Sequence, residues 1–352
     1  MTELAETRLA EIATDEIDPG ERGRKLGGLT ADRIAVVLES YLPLFARHGH
    51  SLDRVLGFGD RVLGRVDRWR PALAEEIVEL AAGARQRPEL IAALNGRTEL
   101  LALAECTVIA RLESDDGPWL AQNWDWYGDE PERCLVWRAQ TGERSFTTMT
   151  EAGILAKVGV SSSGLAISLN ILHHERDGLG ELGVPVHLVL RELLGSCATV
   201  ADAAAVLADV ELSASSAITA IDAGGNGAAF ELSPIGVRRI DPAEGVLVHA
   251  NHFLDPDLAN GARVLPYPWS EGSESRLACA AGPVPRTVEQ AMERLRDHGS
   301  NPQAICRHGE APTEQGNPPI DTLASLVMRP AIPRLQVAAG HPCANAFLDY
   351  AV

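Results

Sequence analysis

Cys106 heads the stretch of this chain best equipped for acyl chemistry. It opens the run Cys106-Thr107-Val108-Ile109-Ala110, and Gln122-Asn123-Trp124-Asp125-Trp126 follows closely. A thiol becomes a strong nucleophile when a neighbouring base removes its proton. If the Glu105–Cys106 bond is cut, Cys106 gains an α-amino group with an unperturbed pKa of about 8, which can be that base. Nucleophile and base are then one residue. Composition alone favours the plainer reading of Cys106 as a small buried core thiol.

The elements around Cys106 change character at that residue. From about residue 31 to 103 the apolar residues are spaced for one buried helical face, and from Thr107 onward they alternate as in strands. Thr107–Leu112 and Trp119–Trp126 flank the turn Ser114-Asp115-Asp116-Gly117, which predicts an antiparallel hairpin returning Asp125 to the level of Cys106. Upstream, Leu4–Ile12 reads as a short helix. Glu21–Gly27 lacks the lysine and hydroxyl pattern of a phosphate loop and reads as the polar start of a helix, with Thr30-Ala31-Asp32 as a cap for the helix ending near Arg47. Further helices are expected over Leu52–Arg68, over Pro71–Ala84 and after Pro88, the last carrying Arg97 and Glu99 among apolar residues.

Downstream, strands are expected at Leu135–Arg138, Arg144–Thr150, Val158–Ser161 and Leu165–Leu169. Helices over Gly183–Leu194 and Thr199–Leu207 follow, then a hairpin of Ser216–Asp222 and Ala228–Leu232. Its glycine-rich link precedes a strand, so it reads as a turn and not a phosphate cradle. Val237–Ile240 and Gly245–Ala250 add strands ending at Asn251. A helix entered at Ser273–Arg276, another over Val288–Asp297, and a hairpin of Thr322–Met328 with Arg334–Ala338 close the chain. Periodicity by itself gives an α+β class.

The chain has 352 residues, 45% of them hydrophobic and 23% charged, with a formal net charge of -18. Such acidity opposes attachment to nucleic acid or anionic lipid, and a solvated acidic face accounts for it. The acidic start Met1-Thr2-Glu3-Leu4-Ala5-Glu6 lacks the pattern of a secretion signal, and no apolar run has membrane-spanning length, so the expected compartment is the cytoplasm. The six cysteines include no CxxC pair, so neither a disulfide framework nor a zinc knuckle is indicated. His173-His174 and His249/His252 lack the carboxylate or thiolate spacing of a zinc site, and no metal is expected.

Seven motifs occur in a fixed order: Glu105-Cys106-Thr107; Gln122-Asn123-Trp124-Asp125; Glu151-Ala152-Gly153-Ile154 with Lys157-Val158-Gly159; Ser163-Gly164-Leu165-Ala166; Pro185-Val186-His187-Leu188; Ala214-Ser215-Ser216; and Val248-His249-Ala250-Asn251-His252. Together the sequence resembles the N-terminal-nucleophile (Ntn) hydrolases, in the branch of the fungal penicillin acyltransferases (isopenicillin-N acyltransferase, the C45 peptidase-like group), over roughly residues 90 to 345. The resemblance implies a four-layer αββα sandwich. It also implies a helical pro-segment, 1–105, packed on a catalytic part, 106–352, and self-cleavage between Glu105 and Cys106. Here Glu105 stands where the fungal enzymes have glycine.

By the same resemblance Asp125 assists processing and holds the new α-amino group. Asn251 and the backbone N–H of Thr107 donate to the oxyanion, a single such donor being worth about 3 kcal/mol in the transition state. Trp124, Trp126 and Tyr127, with Asn170, are expected to wall an acyl pocket; Arg276 or Arg307 is a candidate for a substrate carboxylate. The expected substrate is a small amide or thioester, with no cofactor and with acyl-CoA as a co-substrate in one alternative, an acyl-CoA-dependent N-acyltransferase. A non-catalytic, unprocessed binding relative is the other alternative. The expected product of processing is an α/β heterodimer, its higher oligomeric state left open.

Overall fold

A computed structural model of the chain describes residues 4–101, 105–128, 131–263, 269–299, 304–309 and 318–352. It begins with strand β1 (Ala10–Thr14) and helices α1 (Pro19–Arg47), α2 (Leu52–Trp69), α3 (Pro71–Gly83), α4 (Pro88–Asn95) and α5 (Arg97–Leu101). Then come β2 (Glu105–Arg111), β3 (Trp119–Tyr127), β4 (Cys134–Thr141), β5 (Arg144–Glu151), β6 (Val158–Ser161) and β7 (Leu165–Ile171). Helices α6 (Val186–Ser196) and α7 (Val200–Ala208) precede β8 (Ser216–Asp222), β9 (Gly227–Ser233), β10 (Gly236–Ile240) and β11 (Val246–His249). The chain finishes with α8 (Pro256–Ala259), α9 (Trp269–Ala281), α10 (Val288–Leu295), β12 (Ile320–Arg329), β13 (Arg334–Ala339) and β14 (Leu348–Tyr350).

The strands form two sheets, one ordered β1-β4-β5-β6-β7-β8-β9-β10 and the other β11-β2-β3-β12-β13-β14. They face each other, β2 and β3 lying over β7 and β12 over β6, with α6 and α7 outside the larger sheet and α9 and α10 outside the smaller. This is the αββα sandwich. Alternation along β2 and β3 explains the layering, since successive side chains point to opposite faces. Cys106, Val108 and Ala110 join the core between the sheets, whereas Ile109, Trp119 and Ala121 pack outward with Ala280, Val288 and Leu295 of α9 and α10.

The segment before Cys106 departs from the expectation of an all-helical layer. The predicted helix over Leu4–Ile12 does not form: residues 4–9 are neither helix nor strand apart from a bridge at Ala5, and β1 pairs in parallel with β4 from Ala10↔Leu135 to Thr14↔Ala139. Its residues favour a helix locally, but an open sheet edge gives their backbone groups partners. Helix α1 starts earlier than Thr30, capped by Asp18, whose carboxylate accepts from the Glu21 N–H at 2.9 Å. Thr30 lies inside α1 and donates to the Leu26 carbonyl at 2.7 Å. The glycines of Glu21–Gly27 serve close packing: a Cβ on Gly23 would lie 2.3 Å from the Glu76 carbonyl oxygen and one on Gly27 2.0 Å from that of Leu80. So α1 and α3 touch backbone to backbone, which only glycine permits. Ser273 and Arg276 sit within α9 and do not begin it. Among the described residues no helix is long and apolar enough to cross a membrane.

Candidate active site

Three strands and one helix converge on Cys106. The β2–β3 register sets Glu105 opposite Asp125 and Cys106 opposite Trp124. Asp125 therefore lies at the level of the thiol, as the hairpin predicts, but on the opposite face of the sheet. On the other side, β11 pairs with β2 so that His249 faces Val108. Two residues further on, Asn251 comes alongside Cys106.

The Cys106 backbone N–H donates to Asn251 Oδ1 at 2.8 Å. Asn170 Nδ2, on β7 of the opposing sheet, donates to the Cys106 carbonyl at 3.1 Å. Both backbone groups of the residue are thus held by asparagines. Asn251 Nδ2 donates to the Ile171 carbonyl at 3.0 Å, and its backbone N–H donates to Ser273 Oγ at 2.7 Å. In this geometry Asn251 presents its oxygen, and not its donor, to Cys106. In the intact chain the nitrogen that would become the α-amino group is held by Asn251.

Arg276 is buried beside these groups, with Nη2 donating to Asn251 Oδ1 at 2.9 Å and Nε to Thr107 Oγ1 at 3.2 Å. So placed, it orients Asn251 and Thr107. Arg307 is likewise buried, its backbone N–H donating to Thr322 Oγ1 at 2.8 Å.

Burial keeps the thiol protonated and brings the acid's titration to near neutrality. Burial pushes the Cys106 thiol up to about 12, reinforced by the nearby Asp125. Burial raises Asp125 to about 7 although Arg276 opposes the rise and Thr322 Oγ1 donates to Asp125 Oδ1 at 2.7 Å. An acid that titrates near neutrality is suited to proton transfer.

Of the aromatic residues, Trp124 lines a small cavity of about 20 Å³ with Cys106, Gln122, Lys157, His187 and Arg97. That is room for about one water. Trp126 lies outside the cavity's lining: Arg97 stacks over it at 3.9 Å, Tyr41 of α1 packs at 6.5 Å, and Tyr127 meets it edge-on at 5.5 Å. Of the expected aromatic wall, Trp124 alone among Trp124, Trp126 and Tyr127 lines this cavity.

Several neighbours were quoted in the motifs without a role. Gln122 bridges the two sheets, its Nε2 donating to the Leu169 carbonyl at 2.7 Å and its Oε1 accepting from the Leu169 N–H at 3.3 Å. Glu151 is buried under cations: Lys157 Nζ lies 2.7 Å away, Arg97 Nε 3.5 Å, and Tyr41 Oη donates at 3.0 Å. Burial would raise Glu151, yet Lys157, Arg97 and Arg133 outweigh it and hold the carboxylate at about 2. Arg97 carried the one usable signal, a charge placed among the apolar residues of its segment.

The histidine pairs are engaged otherwise. His249 Nε2 meets Glu231 at 2.9 Å, His252 Nδ1 meets Ser273 Oγ at 2.7 Å, and the Arg176 N–H donates to His174 Nδ1 at 3.1 Å. His173 lines a larger cavity of about 580 Å³, together with Glu99, His50, Arg54 and Arg263. Ile171 lines both cavities.

The family model described as "Acyl-coenzyme A:6-aminopenicillanic acid acyl-transferase" matches residues 112–344, more than half of the chain. The chain belongs to this family. The match begins beyond Cys106 and does not cover it. The chain is also 28% identical over 330 residues to the acyl-coenzyme A:6-aminopenicillanic-acid-acyltransferase 40 kDa form of Emericella nidulans, covering 90% of each. Among solved structures it is similar to penicillin V acylase from Agrobacterium tumefaciens, at 13% identity and a TM-score of 0.44 over 66% of this chain and 83% of that one. It is also similar to the Caenorhabditis elegans N-acylethanolamine-hydrolyzing acid amidase ortholog, at 14% identity and a TM-score of 0.44 over 65% and 94%.

Proposed function

We propose that the chain is the precursor of a self-processing cysteine acyltransferase or amidohydrolase. The observation that carries this reading is the grip on Cys106, whose N–H is held by Asn251 and whose carbonyl is held by Asn170. A residue destined to become a catalytic N-terminus needs its future amine fixed beside its own thiol.

In processing, the Cys106 thiol passes its proton to solvent and Sγ attacks the Glu105 carbonyl carbon. The C–N bond breaks, its nitrogen takes up a proton, and a thioester links Glu105 to Cys106. Asp125, protonated below about 7, is the proposed proton donor. Water then cleaves the thioester, leaving the Glu105 carboxylate and the free amine and thiol of Cys106. In turnover that amine accepts the thiol proton, Sγ attacks the carbonyl of a small amide or acyl thioester, and the amine or thiol of the substrate departs with a proton. The acyl group then passes to water or to an acceptor amine. The family description supports acyl-CoA as a donor.

The cavity of about 20 Å³ beside Cys106, bounded by Arg97, supports the reading that the intact chain is closed to an acyl group. Processing would free α5 to shift and join this space to the larger cavity that shares Ile171.

Intact-mass analysis of wild-type protein beside Cys106→Ala tests the reading. The expected result is two wild-type fragments, 1–105 and 106–352, with the variant whole. A single full-length wild-type mass under conditions that leave it folded would remove the α-amino base from the mechanism. Acyl-CoA incubated with the processed protein, with and without added amines, then separates transfer from hydrolysis by whether CoA release depends on the amine.

A further inference from the structure

Behind Asp125, on the outer side of the smaller sheet, four side chains from two distant parts of the sequence aim at one point. They are His298 and the pair Cys306 and His308, with Cys343 from the turn after β13, and their ligand atoms all lie within 4.8 Å of one another. His298 Nε2 is 3.2 Å from His308 Nε2; Cys306 Sγ and Cys343 Sγ lie 3.6 and 3.4 Å from that same nitrogen.

These separations have a simple geometric meaning. With metal–sulfur bonds of about 2.3 Å and metal–nitrogen bonds of about 2.0–2.1 Å, a tetrahedron has edges of about 3.3 Å between nitrogens and about 3.5 Å between nitrogen and sulfur. The three distances above match these edges. A two-sulfur, two-nitrogen tetrahedron selects zinc among the common divalent metals.

We propose that His298, Cys306, His308 and Cys343 form a structural zinc site. Zinc there joins the loop after α10 to the turn after β13 and braces the groups that position Asp125. Arg307, between two of the ligands, exchanges backbone bonds with Thr322: its N–H donates to Thr322 Oγ1 at 2.8 Å, and the Thr322 N–H donates to its carbonyl at 3.0 Å. Thr322 Oγ1 in turn donates to Asp125. Asn123, next to the site on β3, donates to the Ile305 carbonyl at 2.8 Å. His341 stacks on His308 with ring centroids 3.9 Å apart and bonds Asp321 at 3.0 Å, fixing one ligand ring from outside. The site stands apart from Cys106 and does not depend on the proposed acyl chemistry. Its ligands escaped the sequence reading because no CxxC pair announces them.

The test is metal content of the full chain purified under reducing conditions, followed by chelation and reloading with cobalt(II). The expected results are about one zinc per chain and, after cobalt loading, thiolate-to-metal charge transfer with the strong visible bands of a tetrahedral ion. In Cys343→Ser and His308→Ala, retention is expected to fall below about a tenth of an equivalent, with Cys279→Ser unchanged. Should either ligand variant fail to fold, the wild-type cobalt spectrum decides alone. Wild-type protein that binds neither metal stoichiometrically, or that carries a Cys306–Cys343 disulfide in its place, overturns the proposal.

Discussion

Asp125 and Cys106 sit one register step apart on opposite faces of one hairpin, and their titrations give the proposed processing step a defined pH dependence. The thiolate fraction grows tenfold per pH unit up to about 12, while the protonated fraction of Asp125 falls tenfold per unit above about 7. If both forms are needed, the processing rate climbs with pH below about 7 and levels off above it, because gain and loss cancel. Asp125→Asn cannot give a proton, so its slower processing should keep climbing through neutrality. The measurement is fragment appearance by mass spectrometry across this range; a variant that levels off as the wild type does would exclude Asp125 as the acid. The hairpin placing these residues was legible in the sequence because alternation and a Ser-Asp-Asp-Gly turn fix its register. The direction of the Asn251 side chain was not, since it depends on Ile171 and Arg276, which are remote in sequence.

At the scale of elements, the buried carboxylate of Glu151 at the end of β5 clasps α1 and α5 to the strands through Tyr41 and Arg97. Glu151→Gln should cost about 3–5 kcal/mol, the usual effect of removing one partner from a buried charge cluster, read as a lower denaturant midpoint at neutral pH. The folded carboxylate titrates at about 2, below its ordinary 4.5. Its stabilisation is therefore present above 4.5 and is lost as pH falls towards 2, where wild type and variant should converge. A difference that stays constant down to pH 2 would argue against the clasp. Here the sequence was only half readable. Apolar periodicity placed the helices, but β1 was hidden because Leu4–Ile12 is rich in helix formers and the strand takes its form from β4. The converging ligands of the proposed zinc site were hidden for a related reason, being joined by the sheet and not by spacing.

For the whole molecule, a single core runs from α1 through both sheets, and β1 is an integral strand of the larger one. The cut proposed at Glu105–Cys106 therefore divides the chain but not the fold. The fragments 1–105 and 106–352 are expected to elute together at the volume of the intact chain and to separate only in denaturant. Two independently migrating pieces in native buffer would contradict this.

The location of Asn251 also sets a clock. The bond proposed to break emerges early in synthesis, yet Asn170, Asn251 and Arg276, which grip and orient Cys106, are made progressively later. A growing chain that has not yet reached Arg276 lacks part of its own cutting tool. In the proposed processing, self-cleavage would wait until Asn170, Asn251 and Arg276 are in place around Cys106, and each severed molecule would carry in the cut itself a record that it had already folded.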